Sequence, residues 1–372
     1  MTAVAVIGGG LAGAGAATAL ALAGREVTLF ERETGPHDKV CGGFLSFEAV
    51  ESLRRLGVEP LGLGAAHIER LAVHVGRRAA CRLPLPFPAL SLSRRVLDEA
   101  LLQRAQVAGA QVRRGTRVAG VAREGEGWSV QTAEGLVRAS AVFLATGKRD
   151  LKGWKRPAGL QADLIGFRQH FALSPQGARD LAGAVELHLF PGGYAGLEPV
   201  EQGRANLCLA VRRSVFARLG GEWTALLDFI RDRCPALDTR LAGAVAQDAR
   251  PAAIAAIPYG YVARAQDGLW RLGDQAAVIP SFAGEGMSIA LHSAERAAAH
   301  LIAGRSARDY GAELSRSLSG KVIGSTWLSK AMVRGDVQRL ILPGLAAAPG
   351  LVSLIARGTR LRAPPASALP AA

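Results

Sequence analysis

The 372-residue chain has few of the side chains that staple or metallate a protein. Its four cysteines, Cys41, Cys81, Cys208 and Cys234, stand far apart with no C-x-x-C spacing. That pattern excludes a disulfide framework or a cysteine zinc ribbon and points to free thiols in a reducing cytoplasm. The seven histidines show no H-E-x-x-H or comparable ligand spacing, so no metal is expected. Met1 to Gly24 holds no charged side chain. A signal peptide needs a basic n-region, which is missing, and Gly8-Gly9-Gly10 weakens both an apolar signal core and a spanning helix. Aromatic residues make up 5% of the chain and basic residues form no long run. The net charge of +14 therefore does not amount to a nucleic-acid footprint, although such a field favours anionic partners in general.

What remains is an ordinary globular composition, 49% apolar and 20% charged, long enough for a large core and two interleaved units. The most informative stretch is Thr2 to Glu31. Ala3 to Ile7 is a β-branched apolar run suited to a buried strand. Gly8-Gly9-Gly10-Leu11-Ala12-Gly13 satisfies G-x-G-x-x-G, and Ala14 to Ala23 reads as a small-residue helix capped by Gly24. A second strand, Arg25 to Phe30, ends on Glu31, 18 positions beyond Gly13. The glycines allow, in turn, the tight turn, the approach of a pyrophosphate and close helix–strand packing. The helix start offers free N–H groups to phosphate, and the terminal acid suits a ribose hydroxyl.

Further along, Lys39 to Ser46 is a loop in which Gly42-Gly43 lets backbone pass close to a planar ligand, with Cys41 either packing there or presenting a thiol. A helix follows from Phe47 to Leu56. Ile68 to Cys81 alternates like paired strands, and Pro84 to Pro88 reads as an extended connection. Ser93 is an N-cap for a helix to about Ala108, with Arg94 and Asp98 on one face. Gln111 to Ser140 reads as strands and turns, and Ala141 to Gly147 as a buried strand ending on small residues. Leu164 to Phe171, Ala184 to Phe190 and Ala205 to Arg212 suggest antiparallel strands, with a helix near Trp223 to Cys234. Leu269 to Asp274 reads as a strand ending in Gly-Asp, followed by a glycine-rich turn, a helix to about Ala303 and another over Ser306 to Met332. Leu340 to Ala356 is uncharged, but Pro343-Gly344 and Pro349-Gly350 break it into pieces too short to span a membrane.

Taken together, these segments resemble the FAD-dependent oxidoreductases of the aromatic-hydroxylase superfamily, and within it the geranylgeranyl reductase-like branch. The resemblance implies an α/β fold: a Rossmann-like FAD-binding domain, an inserted antiparallel-sheet substrate domain and a C-terminal helical tail. In those terms residues 1–72, 90–150 and 267–335 form the FAD-binding domain, 73–89 and 151–266 the substrate domain, and 336–372 the tail. Gly8, Gly10, Leu11, Ala12, Gly13, Glu31 and Arg32 match the ADP-binding fingerprint and its flanks. Arg94 matches an arginine that approaches FAD, and Ala145-Thr146-Gly147 a second short nucleotide motif. Gly273-Asp274 with Pro280 and Gly284-Glu285-Gly286-Met287 resembles the second FAD signature, in which the aspartate binds ribityl hydroxyls. Cys41-Gly42-Gly43 resembles the cysteine–glycine loop of the reductase branch. That branch commonly carries Tyr-x-Trp-x-Phe-Pro where this chain has Tyr194-Ala195-Gly196-Leu197-Glu198-Pro199. Loss of the indole reshapes the pocket, and Glu198 adds an acid.

The expected activity is hydride transfer from reduced flavin to a C=C bond of a hydrophobic substrate, with Cys41, Tyr194 and Glu198 as catalytic candidates and NAD(P)H as a transient electron donor. The alternatives are a flavin monooxygenase acting on an aromatic, polyketide or lipid substrate, and a flavoprotein that only carries electrons. The chain is expected in the cytoplasm, with peripheral membrane contact through apolar pieces of the tail flanked by arginines.

Overall fold

The computed structural model describes residues 2–78, 80–264 and 267–347, together with Gly358 and Arg360. The chain opens with β1 (Thr2–Ile7), α1 (Leu11–Leu22) and β2 (Val27–Phe30). Next come β3 (Phe44–Leu45), α2 (Phe47–Arg55), β4 (Ala66–Val75), β5 (Cys81–Ser91) and α3 (Arg94–Val107). Four short strands follow: β6 (Gln111–Arg113), β7 (Gly120–Glu124), β8 (Gly127–Thr132) and β9 (Gly135–Leu144). Then come β10 (Leu164–Ala172), α4 (Pro175–Leu181), β11 (Ala184–Phe190), β12 (Gly193–Pro199) and β13 (Arg204–Arg212). α5 (Arg213–Arg218), α6 (Trp223–Arg233) and α7 (Pro235–Leu241) precede β14 (Val245–Ala246), β15 (Ala252–Ala255) and β16 (Trp270–Arg271). Three helices close the chain: α8 (Gly286–Ile302), α9 (Ala307–Met332) and α10 (Gly335–Ala347).

The first sheet runs β6-β2-β1-β9-β8-β7, with β16 also paired to β9. Its centre is parallel (β6, β2, β1, β9, β16), and β7 and β8 extend it as an antiparallel flap. β1 and β2 are apolar and buried on both faces because helices cover the parallel region. α1 is nearly all alanine, glycine and leucine and packs between α3 and α8, so it has no polar face to offer. Gly15 meets Leu291 and Ala294 of α8 there.

The second sheet runs β14-β10-β13-β12-β11-β4-β5-β3, with β15 on β10. One pair departs from the antiparallel expectation: β4 and β11 run parallel, joining an early segment of chain to a late one. β3 and all of β4 belong to this sheet, so it recruits strands upstream of residue 73. Its faces alternate strictly, as the pleat requires. Phe167, Phe190, Ala195, Leu197, Leu207 and Leu209 point to a back face covered by α5, α6 and α7. Leu164, Leu189, Tyr194 and Ala210 point to a front face, where Val278, Phe282 and Met332 pack against them.

Three local expectations are corrected. Pro84, Pro86 and Pro88 lie within β5; they fall on alternate positions, so all three missing N–H groups face one side of a strand near the sheet edge. Gly273-Asp274 does not end a strand but opens a 3-10 turn, Gly273–Gln275, with Gly273 at φ +55°. Pro343 does not stop α10, which continues to Ala347 and docks on the second sheet, where Gln338 Nε2 donates to the carbonyls of Phe190 (2.8 Å) and Met332 (2.7 Å). Pro349-Gly350 and most of the basic tail lie outside the described residues. Arg360 is described: its guanidinium lies 3.2 Å from the Phe87 ring centre and pairs with Glu48 at 2.7 Å. Among the described residues no helix is long and apolar enough to cross a membrane.

Candidate active site

The glycine turn between β1 and α1 is set by contact distances. Gly8 has φ +107°, and a methyl group on it would lie 2.5 Å from the Ala145 carbonyl oxygen. A methyl on Gly13 would overlap the Gly8 carbonyl oxygen itself. Helix, turn and the end of β9 therefore close on one another only with glycine at both positions. Gly10 differs, because its outer side faces the Lys39 ammonium (3.1 Å from a Cβ) and the Arg94 guanidinium (3.5 Å). No side chain caps α1 at Gly10, so Leu11, Ala12 and Gly13 present a helix amino end toward two cations. That donor set fits the diphosphate of FAD.

Asp98 holds both cations in place. Arg94 forks onto it at 2.8 and 2.9 Å, and Lys39 reaches it at 2.6 Å. Burial pushes the Asp98 carboxyl up, but the Arg94 and Lys39 charges outweigh that and hold it below its usual range. Glu31, the expected ribose ligand, is buried, accepting from the Gly9 amide at 2.6 Å and the Glu33 amide at 3.0 Å. It shapes the turn as well as ending β2. Arg32 points outward and pairs with Glu33 at 3.0 Å. At the end of β9, Ala145 N donates to the Ile7 carbonyl (2.9 Å), Thr146 Oγ1 to the Arg149 carbonyl (2.6 Å), and the Gly147 carbonyl accepts from Gln275 (2.9 Å).

The second FAD signature gathers beside this turn. The Asp274 carboxylate lies 3.6 Å from the Lys148 ammonium, and its carbonyl accepts from Arg156 at 2.6 Å. Gly273 packs on Ala12 and Ala290, bringing the 3-10 turn against α1 and α8. Pro280 leads into the turn Ser281–Ala283, and Gly284, at φ +70°, lies so near Phe44 that a side chain would strike the ring. Glu285, Gly286 and Met287 start α8. Glu285 is buried; burial and then the Glu48 charge push its carboxyl up to about 7.

The front face of the second sheet closes over the Cys41 loop. Tyr194, Gly196 and Glu198 of β12 share this face with Asn206 and Cys208 of β13 and with Arg168 and His170 of β10. Asn206 Nδ2 donates to the Cys41 carbonyl at 3.0 Å and to the Gly42 carbonyl, which fixes the loop. Glu198 Oε1 would lie 3.0 Å from a Cβ on Gly42. Glu198 is 3% exposed and its Oε2 has no hydrogen-bond partner among the described residues. Burial, and then the Cys41 thiol beside it, pushes this carboxyl well above its ordinary range. Burial likewise pushes the Cys208 thiol up to about 12. Tyr194 reaches across to the signature turn and shares a hydrogen bond with Ser281 Oγ at 2.9 Å, a hydroxyl that Tyr259 also donates to at 3.2 Å.

The structure thus brings the half-buried Cys41 and Gly42 against the buried Glu198, and sets Tyr194 on the same sheet face, anchored to Ser281. The sequence reading set Asp98 on one helix face with Arg94 and gave no site role to Lys39, Lys148, Arg168, Cys208, Tyr259 or Ser281. Lys148 follows Ala145-Thr146-Gly147 directly and was within reach of motif reasoning. Cys208 and Arg168 face the site through a strand register that no local pattern specifies.

Residues 1–139 match the family of FAD binding domains. The chain is an FAD-dependent oxidoreductase. It is 27% identical to menaquinone reductase of Mycolicibacterium smegmatis over 333 residues, covering 82% of this chain and 78% of that one. It is 32% identical to digeranylgeranylglycerophospholipid reductase 2 of Methanopyrus kandleri over 232 residues, covering 57% of this chain and 55% of the relative. A myxobacterial chondrochloren halogenase, a variant of FAD-dependent halogenases, superposes with a TM-score of 0.76 at 22% identity, covering 97% of this chain and 91% of that one, a likeness of fold.

The flavoprotein's two loop contacts separate by mutation. Gly10→Ala meets only flexible side-chain tips, so it should fold with unchanged circular dichroism yet bind FAD roughly tenfold or more weakly, about 1.4 kcal/mol. Wild-type FAD affinity in that variant would contradict the close approach. Asn206→Ala strands two carbonyls at about 1–3 kcal/mol, and amide exchange at Val40 to Gly43 should accelerate. Unchanged exchange there would show that another contact holds the loop.

Proposed function

We propose that this oxidoreductase reduces a C=C bond of a hydrophobic substrate held between the Cys41 loop and the front face of the second sheet. The observation that carries the reading is Glu198: a buried carboxyl, beside Cys41 and Gly42, whose Oε2 has no hydrogen-bond partner among the described residues. Such a group is costly to ionise, so burial favours its acid form, the form this reading needs. When bound, reduced FAD supplies the hydride. Glu198 gives the proton that completes the reduction at the second carbon, and Cys41 lies at its side to orient that transfer. Tyr194, tied to Ser281, holds the apolar wall formed with Leu189 and Ala210 against the flavin-binding turn. Asn206 keeps the Cys41 loop from moving off the acid.

Two further points support the reading. The curated relatives are named as reductases of menaquinone and of a digeranylgeranylglycerophospholipid, both hydrophobic molecules. The front face is lined by apolar residues, with Val73, Val75 and Leu189 continuing it beyond Tyr194. In this reading NAD(P)H is the electron donor and binds transiently, without a second G-x-G-x-x-G with a following strand and acid to hold it.

The test is anaerobic turnover with NADPH, using menaquinone and a digeranylgeranylglycerophospholipid as probes. Reduced product forms without oxygen and takes up solvent deuterium. Glu198→Gln should lower the rate by roughly 10²–10⁴-fold with FAD content unchanged. The wild-type rate should fall as pH rises through the elevated Glu198 pKa, because the acid form is the donor, and the variant should lose that limb. A Glu198→Gln enzyme of wild-type rate removes the acid from the mechanism. Product that forms only with oxygen, and carries it, makes the enzyme a monooxygenase instead.

A further inference from the structure

On the opposite face of the second sheet lies a second cluster of polar side chains. Glu186 and His188 alternate on β11, and His74 stands opposite His188 on the parallel neighbour β4. All three are buried: His74 is 5% exposed, Glu186 3% and His188 0%. The two imidazoles are stacked with ring centres 4.6 Å apart. Glu186 Oε2 lies 3.2 Å from His188 Nε2, and Glu186 Oε1 lies 3.8 Å from His74 Nε2. One ligand atom from each residue falls within 4.8 Å of the other two.

A hydrogen bond between His188 and Glu186 accounts for one ring only. His74 Nε2 has no hydrogen-bond partner among the described residues, and at 3.8 Å from the carboxylate it is too far to make one. Polar atoms this deep are ordinarily satisfied.

We infer that His74, Glu186 and His188 bind a divalent transition-metal ion of the zinc class, which clamps β4 to β11. Zinc takes imidazole nitrogen and carboxylate oxygen at about 2.0–2.2 Å, which puts tetrahedral ligand atoms roughly 3.3–3.6 Å apart. The 3.2 Å between His188 Nε2 and Glu186 Oε2 is close to that spacing, and the ligand atoms of the three residues lie within 4.8 Å of one another. Arg240 of α7 does not block the ion. Its Nε and Nη2 donate to Glu186 Oε1 at 3.1 and 2.9 Å, orienting the carboxylate so that Oε2 is the oxygen against His188 Nε2. Its own charge is offset by Asp180, which accepts from Nη1 at 2.9 Å. The clamp falls on the parallel pair that joins the early and late parts of the sheet. His74 is distant in sequence from Glu186 and His188, which is why no ligand spacing reveals the set.

The test uses the FAD-loaded full-length chain, equilibrated with Zn²⁺ and dialysed into metal-free buffer. About one zinc per chain should remain, with a zinc-edge X-ray absorption spectrum of nitrogen and oxygen ligands, two of them imidazole, and no sulfur. His74→Gln and Glu186→Gln should lose the zinc while keeping wild-type flavin content, and zinc should raise the melting temperature of the wild type alone. Should both variants fail to fold, the wild-type absorption spectrum still decides. No retained zinc, sulfur ligation, or wild-type stoichiometry in His74→Gln overturns the proposal.

Discussion

The architecture depends on a contact that leaves no room for a side chain. Gly13 of α1 lies against the Gly8 carbonyl, and Gly8 in turn lies against the Ala145 carbonyl at the end of β9. Because three backbones meet there, the amino end of α1 sits at the carboxyl edge of the parallel strands, where a nucleotide's phosphates gain most from helix N–H groups. Lys39 and Arg94 add positive charge, and Asp98 accepts from both of them. The nucleotide site is therefore built on rigid elements, with long side chains pinned by one buried carboxylate.

The second sheet gives this platform its chemistry. Its pleat sends apolar side chains back into the α5–α7 layer and sends Tyr194, Glu198, Asn206 and Cys208 forward, toward the Cys41 loop. Two tethers hold the sheet and the nucleotide platform in register: Asn206 to the loop carbonyls and Tyr194 to Ser281. A carboxyl left unpaired between those tethers is destabilising for the fold, since burial disfavours its charged form. Groups held at such a cost are characteristic of sites that move protons.

Much of this was legible in the sequence where the signal was local. The strand–glycine–helix–strand unit from Thr2 to Glu31 is specified by contiguous residues, and the structure has it with those bounds to within a few positions. Ser93 as an N-cap and Ser306 opening α9 were readable for the same reason, and Ser306 makes a full capping box with Asp309. What the sequence did not reveal depends on strand register. The parallel β4–β11 pair, the facing of Cys208 and Arg168, and the stacking of His74 on His188 all arise from pairings between distant segments. Prolines in β5 and α10 misled for a different reason: in β5 the three missing N–H groups fall on one side of the strand, and α10 runs on past Pro343 while Gln338 ties it to the second sheet.

The central claim is that Glu198 carries a proton at neutral pH inside the closed site. Infrared difference spectroscopy of the flavin-loaded enzyme against Glu198→Gln at pH 7 tests it directly. The account predicts the carbonyl stretch of a protonated carboxylic acid in the wild type, shifting with deuterium exchange and absent from the variant. A difference spectrum showing only the symmetric and antisymmetric bands of a carboxylate would contradict it.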